Sequence, residues 1–267
     1  MPDLAVKLGA RRPDPHVFKR FPRLEGFVDR AVVPSCPKAW ADQDPGDLRY
    51  PMDGNDTLGD CVAAWIAHQI ESAQRRFATD NIVPSAEVVT WYQQESVREW
   101  GSPADQGLDP AQATLNWVKY PMGGVSADSG ACTINLSDDA FNRWCAWSFR
   151  GFGLALELPD DWQTTWANPG LWEVSGAPDQ ENGHMLLVGG YNAENDTYLL
   201  YTWGTDKWAT SAFVKTYGLY GIVPLTSEWQ SIPGIDTALQ NELLALGGAP
   251  VTPDEQPPST PPAPPAP

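Results

Sequence analysis

The spacing of apolar positions changes character once along this chain. From Gly59 it is helical: Cys61, Ala64, Trp65 and His68 fall at i, i+3, i+4 and i+7, and Ala63, Ala67 and Ile70 widen the stripe. A polar finish, "ESAQRR", places arginines in the last turn, where the helix dipole favours them. "PSAEVVTWYQQESVREW" predicts a second helix starting at Pro84 and Ser85. "LDPAQATLNWVKY" predicts a third, capped by Asp109 with Pro110 at its first position, and a fourth runs through "SDDAFNRWCAWSF". After that the pattern shortens. "FGLALEL", "HMLLVGGY", "TYLLYTW" and "LYGIVPL" are apolar runs bounded by Gly, Asn and Asp, as expected of core strands, and "YNAENDTY" carries turn chemistry for a hairpin. Helices first and strands second predict an α+β fold in which two halves meet.

The ends have no such period. Residues 1–48, rich in proline and charge, read as an extended arm laid over one domain spanning 49–227. A segment over 228–249 follows, and the stretch from Pro250 to Pro267, half proline, reads as a disordered or polyproline-II tail.

With 267 residues, 42% of them hydrophobic, the chain can bury a sizeable core. Seventeen basic against 34 acidic residues give a net charge of −17. That charge argues against nucleic acid or an anionic membrane as partner, since both require positive fields. It fits either a solvated surface or an acidic recognition surface. The first residues contain no apolar run long enough for a signal-peptide core, and no later segment has the length of a spanning helix, so a cytoplasmic protein is expected. Cys36, Cys61, Cys132 and Cys145 show no metal-ligand spacing; Cys132 and Cys145 could pair, though reduced thiols are the default in an unexported chain. No metal or organic cofactor is implied.

Cys61 is the cysteine whose position carries chemistry. It closes "GNDTLGDC", a turn-rich run that enters the first helix. Unpaired backbone N–H groups and the positive end of the dipole favour a thiolate there, whereas Asp60 next door opposes one. The residue reads either as a small buried hydrophobe or as a nucleophile. A nucleophile needs a base. His16 lies in the arm, and His68 is two turns along the same helix, roughly 10 Å from Cys61, which reads as a core or boundary position. His184, after Gly183 at the mouth of an apolar strand, is either that base or a loop-edge histidine without a task.

Taken together, these segments resemble the papain-like cysteine peptidases. "NDTLGDC" is similar to their approach to the nucleophile, with Asn55 six residues before Cys61 and Gly59 two before. "PSCPKAW", with Trp40, resembles their entry segment, and "AFNRWCAWSFRGFGLALEL" the helix and strand that precede the histidine. "GHMLLVGGYNAENDTYLLYTWG" resembles their histidine hairpin. The likeness runs from about Pro34 to Leu225, and is closer still to a divergent branch of bacterial and phage-associated sequences with an N-D-x-x-G-D-C core and a T-W-G ending.

The resemblance implies a papain-like two-part fold, with Cys61 as nucleophile, His184 as base and Asn55 with the Cys61 N–H as oxyanion donors. Gly59 and Trp203 support the site. It implies a peptide or amide substrate and a thiol hydrolase, a peptidase or amidase. The sequence also departs from the family. Leu58 stands for a disulfide cysteine and Val62 for an aromatic residue. The asparagine that orients the histidine falls at Tyr201, whose oxygen is too far from the backbone to replace it. Thr202, by strand alternation, is expected to point to the other face. The alternative is therefore a weak or inactive papain-like domain acting as a structural or interaction protein. An example is a phage particle component, located in the virion if phage-encoded, with partners engaging the arm and the proline-rich tail.

Overall fold

A computed structural model describes residues 6–42, 50–75, 82–167, 170–225 and 232–247; the proline-rich tail expected from Pro250 lies outside them. The helices are α1 (Pro15–Phe18), α2 (Cys61–Arg75), α3 (Ser85–Trp100), α4 (Pro110–Trp117), α5 (Asp139–Ser148), α6 (Trp162–Ala167), α7 (Ser211–Tyr217) and α8 (Leu239–Ala245). The strands are β1 (Ala39–Ala41), β2 (Ala131–Ile134), β3 (Phe152–Glu157), β4 (Gly183–Asn192), β5 (Thr197–Thr202), β6 (Thr205–Thr210) and β7 (Gly218–Pro224).

The strands form one sheet in the order β2-β7-β3-β4-β5-β6, with β1 added to the far end of β4 through Trp40 opposite Tyr191. All its strand pairs are antiparallel. The architecture is thus α+β: a helical half carrying α2, α3 and α4, and a sheet half whose central strand is β4.

Three of the anticipated helices form where the sequence placed them, and α4 begins at its predicted cap. Asp109 accepts the Ala111 N–H, with Pro110 at the first position of α4; Asp138 caps α5 through the Phe141 N–H. α3 starts at Ser85. α2 departs from the expected one-sided stripe: every residue from Cys61 to Ser72 is buried. The reason is its place at the seam, packed on β4 on one side and on α3 and α4 on another. A helix enclosed all round carries apolar residues all round.

The arm is more structured than an irregular wrap. It contains α1, a 3-10 turn at Leu24–Phe27 and β1, and the Thr133 N–H donates to the Pro22 carbonyl at 2.9 Å.

Candidate active site

Where α2 starts, the Asp60 carbonyl accepts the Ala64 N–H at 3.0 Å, so Asp60 occupies the cap and Cys61 is the first helical residue. Only 1% of Cys61 is exposed. The backbone N–H groups of Met185, Gly9 and Ala10 favour its thiolate. Burial nevertheless pushes the thiol up to about 12, against the pull of those N–H groups and with the Asp60 carboxyl adding to the rise.

His184 is the second residue of β4, opposite Leu156 of β3, and is fully buried. Its Nε2 lies 2.6 Å from the Thr202 hydroxyl, and Nδ1 has no hydrogen-bond partner among the described residues. Trp203 stacks on the ring at a centroid distance of 4.1 Å and 20° between planes. Burial lowers the imidazole to about 3. At neutral pH the site therefore holds a neutral thiol and a neutral ring.

The contact with Thr202 corrects the expectation from strand alternation. β4 and β5 pair with Leu187 opposite Tyr201, which puts Thr202 opposite Leu186. Opposed residues share a face, so Thr202 lies on the face of Leu186 and His184. Tyr201, where the resemblance puts the histidine-orienting asparagine, faces away: its ring packs on Gly189 and against Tyr50, 4.7 Å between centroids.

Trp203 reaches His184 because of a tight turn. Trp203 and Gly204 have φ of 48° and 68° and join β5 to β6 as a two-residue connection. A positive φ at a bulky aromatic residue costs about 1–3 kcal/mol. Here it places the indole over the imidazole.

The loop before Cys61 is held from several sides. The Asn55 Nδ2 donates to the Leu58 carbonyl at 3.1 Å, and Asn55 is buried. Asp53 accepts from Ser85 Oγ at 2.8 Å and lies 3.2 Å from His68 Nε2, which is also 3.0 Å from the Pro51 carbonyl. Burial pulls His68 down, but the hydrogen bond and charge of Asp53 outweigh it and its pKa is raised. His68, read from the sequence as a core or boundary residue, is thus a buried clamp on the loop that carries Asn55. Gly59 is tied by its N–H to Asp105 at 2.9 Å, and Asp105 also accepts from the Tyr92 hydroxyl at 2.6 Å.

Asp60 is fully buried, with Gly54 and the Asn55 amide against its carboxyl. Burial raises it to about 8. The folded chain then holds a proton that the unfolded chain releases near pH 4, so stability falls as pH rises from about 4 towards 8. Asp60→Asn removes that dependence. We expect it to be stabilised relative to the native chain by on the order of 1–3 kcal/mol at pH 8, with little difference at pH 4, as measured by urea unfolding.

The arm fills the cleft. Lys7 donates its N–H to the Asn55 carbonyl at 2.9 Å and accepts from Trp203 Nε1 at 3.1 Å. Gly9 and Ala10 donate to the Gly183 carbonyl at 3.2 and 3.1 Å, and the Gly9 carbonyl accepts from Leu108 at 2.9 Å. Gly9 is the tightest point: a Cβ there would run into the Gly59 carbonyl, while Cβ atoms on Gly107 and Gly183 would run into Gly9 and Ala10. The Lys7 and Gly9 carbonyls are engaged by Trp203 and Leu108, away from the thiol. Sequence reasoning turned Thr202 to the wrong face, laid the arm over the domain without fixing its path, and missed Asp105.

Among the described residues no cluster of His, Cys, Asp or Glu could hold a metal ion, and no helix is long and apolar enough to cross a membrane.

No protein-family model and no curated protein matches the sequence. Solved structures do. The chain is similar to xylellain, a cysteine protease from Xylella fastidiosa, with a TM-score of 0.63 and 14% identity, over 83% of this chain and 97% of that one. It is also similar to the cysteine protease and lectin-like domains of Cwp84, a surface layer associated protein of Clostridium difficile. There the TM-score is 0.51 and the identity 8%, over 83% of this chain and 61% of that one. The fold is papain-like, as the sequence motifs anticipated.

Proposed function

We propose that the chain is a papain-like thiol hydrolase, a peptidase or amidase, kept latent by its own arm. The observation that carries this reading is His184 held through Nε2 by Thr202, with Nδ1 left over, on the strand against which the helix headed by Cys61 packs. With the Nε2 proton on Thr202, Nδ1 carries the lone pair that a base needs.

With the arm displaced, His184 Nδ1 takes the Cys61 proton and the sulfur attacks the substrate carbonyl carbon. The developing oxyanion is held by the Cys61 N–H and by Asn55. One Asn55 amide hydrogen is engaged by Leu58, and the second, beside Asp60 in the closed cleft, is the oxyanion donor. The carbon–nitrogen bond breaks as His184 returns its proton to the leaving amine, giving a thioester. Water, deprotonated by His184, then hydrolyses it and restores the thiol.

The test is intact mass after treatment with a peptidyl epoxide, in a chain whose arm is displaced by Gly9→Leu. We expect one adduct, lost in Cys61→Ala and slowed about 100-fold or more in His184→Ala. Labelling indifferent to His184 would instead favour the inactive, structural reading of the domain.

A further inference from the structure

The segment seated in the cleft carries a pattern of its own, "KLGARR", Lys7 to Arg12. It holds three of only 17 basic residues in a chain with 34 acidic ones, and each of the three is matched by the cleft. Lys7 Nζ pairs with Asp105 at 3.2 Å on the helical half. Arg12 grips both oxygens of Glu157 at the end of β3, Nη2 donating at 2.9 Å and Nε to the other oxygen. Arg11 Nε donates to the Gln106 carbonyl. Between the basic residues the backbone passes Gly59, Gly107 and Gly183 so closely that Gly9 has no room for a side chain.

Both carboxylates are placed for a cation. With the arm seated, the Glu157 side chain is only 7% exposed and both of its oxygens are met by Arg12. Asp105 is held below its ordinary range: burial would raise it, but hydrogen bonds from Tyr92, Gly59 and Lys7 outweigh that. The Tyr92 and Gly59 hydrogen bonds do not belong to the arm and stay with Asp105 when the cleft opens.

We infer that the cleft recognises a peptide segment with glycine, or glycine and a second small residue, beside Cys61 and a lysine or arginine on either side. The arm is the resident copy of that ligand. Because basic residues flank the small pair on both sides, the inference does not depend on the direction in which a substrate runs. It rests on the thiol-hydrolase reading only in that the ligand so recognised would be the substrate.

The test uses the full chain carrying Gly9→Leu and Cys61→Ala, so that the cleft is free and the chemistry is off. Fluorescein-labelled peptides containing K-L-G-A-R-R, its charge-reversed form E-L-G-A-E-E, and K-L-L-A-R-R are titrated by fluorescence anisotropy. We expect the first to bind at least 10-fold tighter than either of the others. Glu157→Gln and Asp105→Asn should each weaken it about 10-fold. Glu157→Lys should shift the preference towards the charge-reversed peptide. Equal binding of the three peptides, or a preference that survives loss of both carboxylates, overturns the inference. If Gly9→Leu does not fold by circular dichroism, the pair Lys7→Glu and Arg12→Glu displaces the arm without touching the packed glycines. With Cys61 restored, preferential binding without turnover sinks the hydrolase and keeps the recognition. Turnover indifferent to the basic flanks does the reverse.

Discussion

Gly9→Leu turns on the thiol: at pH 7, iodoacetamide labels Cys61 at least 100-fold faster in this variant than in the native chain. A leucine side chain cannot occupy the space between Gly9 and the Gly59 carbonyl, so the segment from Lys7 to Arg12 leaves the cleft. In the closed chain burial holds the thiol at about 12, so about one molecule in 10⁵ carries a thiolate at pH 7; an unperturbed cysteine, near 8.5, carries a few per cent. Closure is also linked to pH through His184. The ring stays neutral down to about 3 when buried but takes up a proton near 6.5 when exposed. The open form gains that proton and the closed form does not, so closure weakens as pH falls from about 6.5 towards 3. Hydrogen exchange of the Gly9 and Ala10 amides, corrected for intrinsic rates, should show protection falling across that range. A native chain that labels as fast as Gly9→Leu would mean that the arm does not guard the thiol.

Thr202→Val should be nearly as consequential once the cleft is open. Valine has the shape of threonine but leaves His184 Nε2 with nothing to hold it, so the ring loses both its tautomer and its orientation. Loss of such an orienting partner costs about 10–100-fold. We expect that drop in kcat with KM little changed, because Thr202 lies behind the ring, and a broadening of the pH–rate profile's basic limb. Thr202→Ser, which keeps the hydroxyl, should recover most of the rate. If Thr202→Val raises KM and spares kcat, the hydroxyl shapes the cleft and does not orient the base.

The two residues of the proposed pair each carry a local signal, Cys61 a turn that runs into a helix and His184 a glycine that opens an apolar strand, and it is the resemblance that joins them. The group behind the histidine carries no such signal. Its identity depends on which β5 residue shares a face with His184, and that is set by a register between two strands interrupted by an irregularity between Val188 and Gly190. Counting along the motif leads to Tyr201; pairing leads to Thr202. β6, "TDKWAT", was missed because its half-exposed positions show no apolar alternation, and β2 because four residues carry too little pattern. The occupancy of the cleft is legible only in three dimensions, since Gly9, Gly59, Gly107 and Gly183 are scattered along the chain and their closeness is a property of the fold.

β1 has a consequence for how the cleft opens. Through Trp40 and Tyr191 it fastens the arm to the far end of the strand that begins with Gly183 and His184. A displaced KLGARR segment therefore stays tethered, at an effective concentration that for short flexible tethers is about millimolar. A free peptide must reach comparable occupancy to hold the cleft open, and diluting the protein does not help it. Latency is accordingly an intramolecular property, the same at any protein concentration. In the native sequence, a permanent open state requires a cut between Arg12 and Pro22, the point where Thr133 already holds the arm.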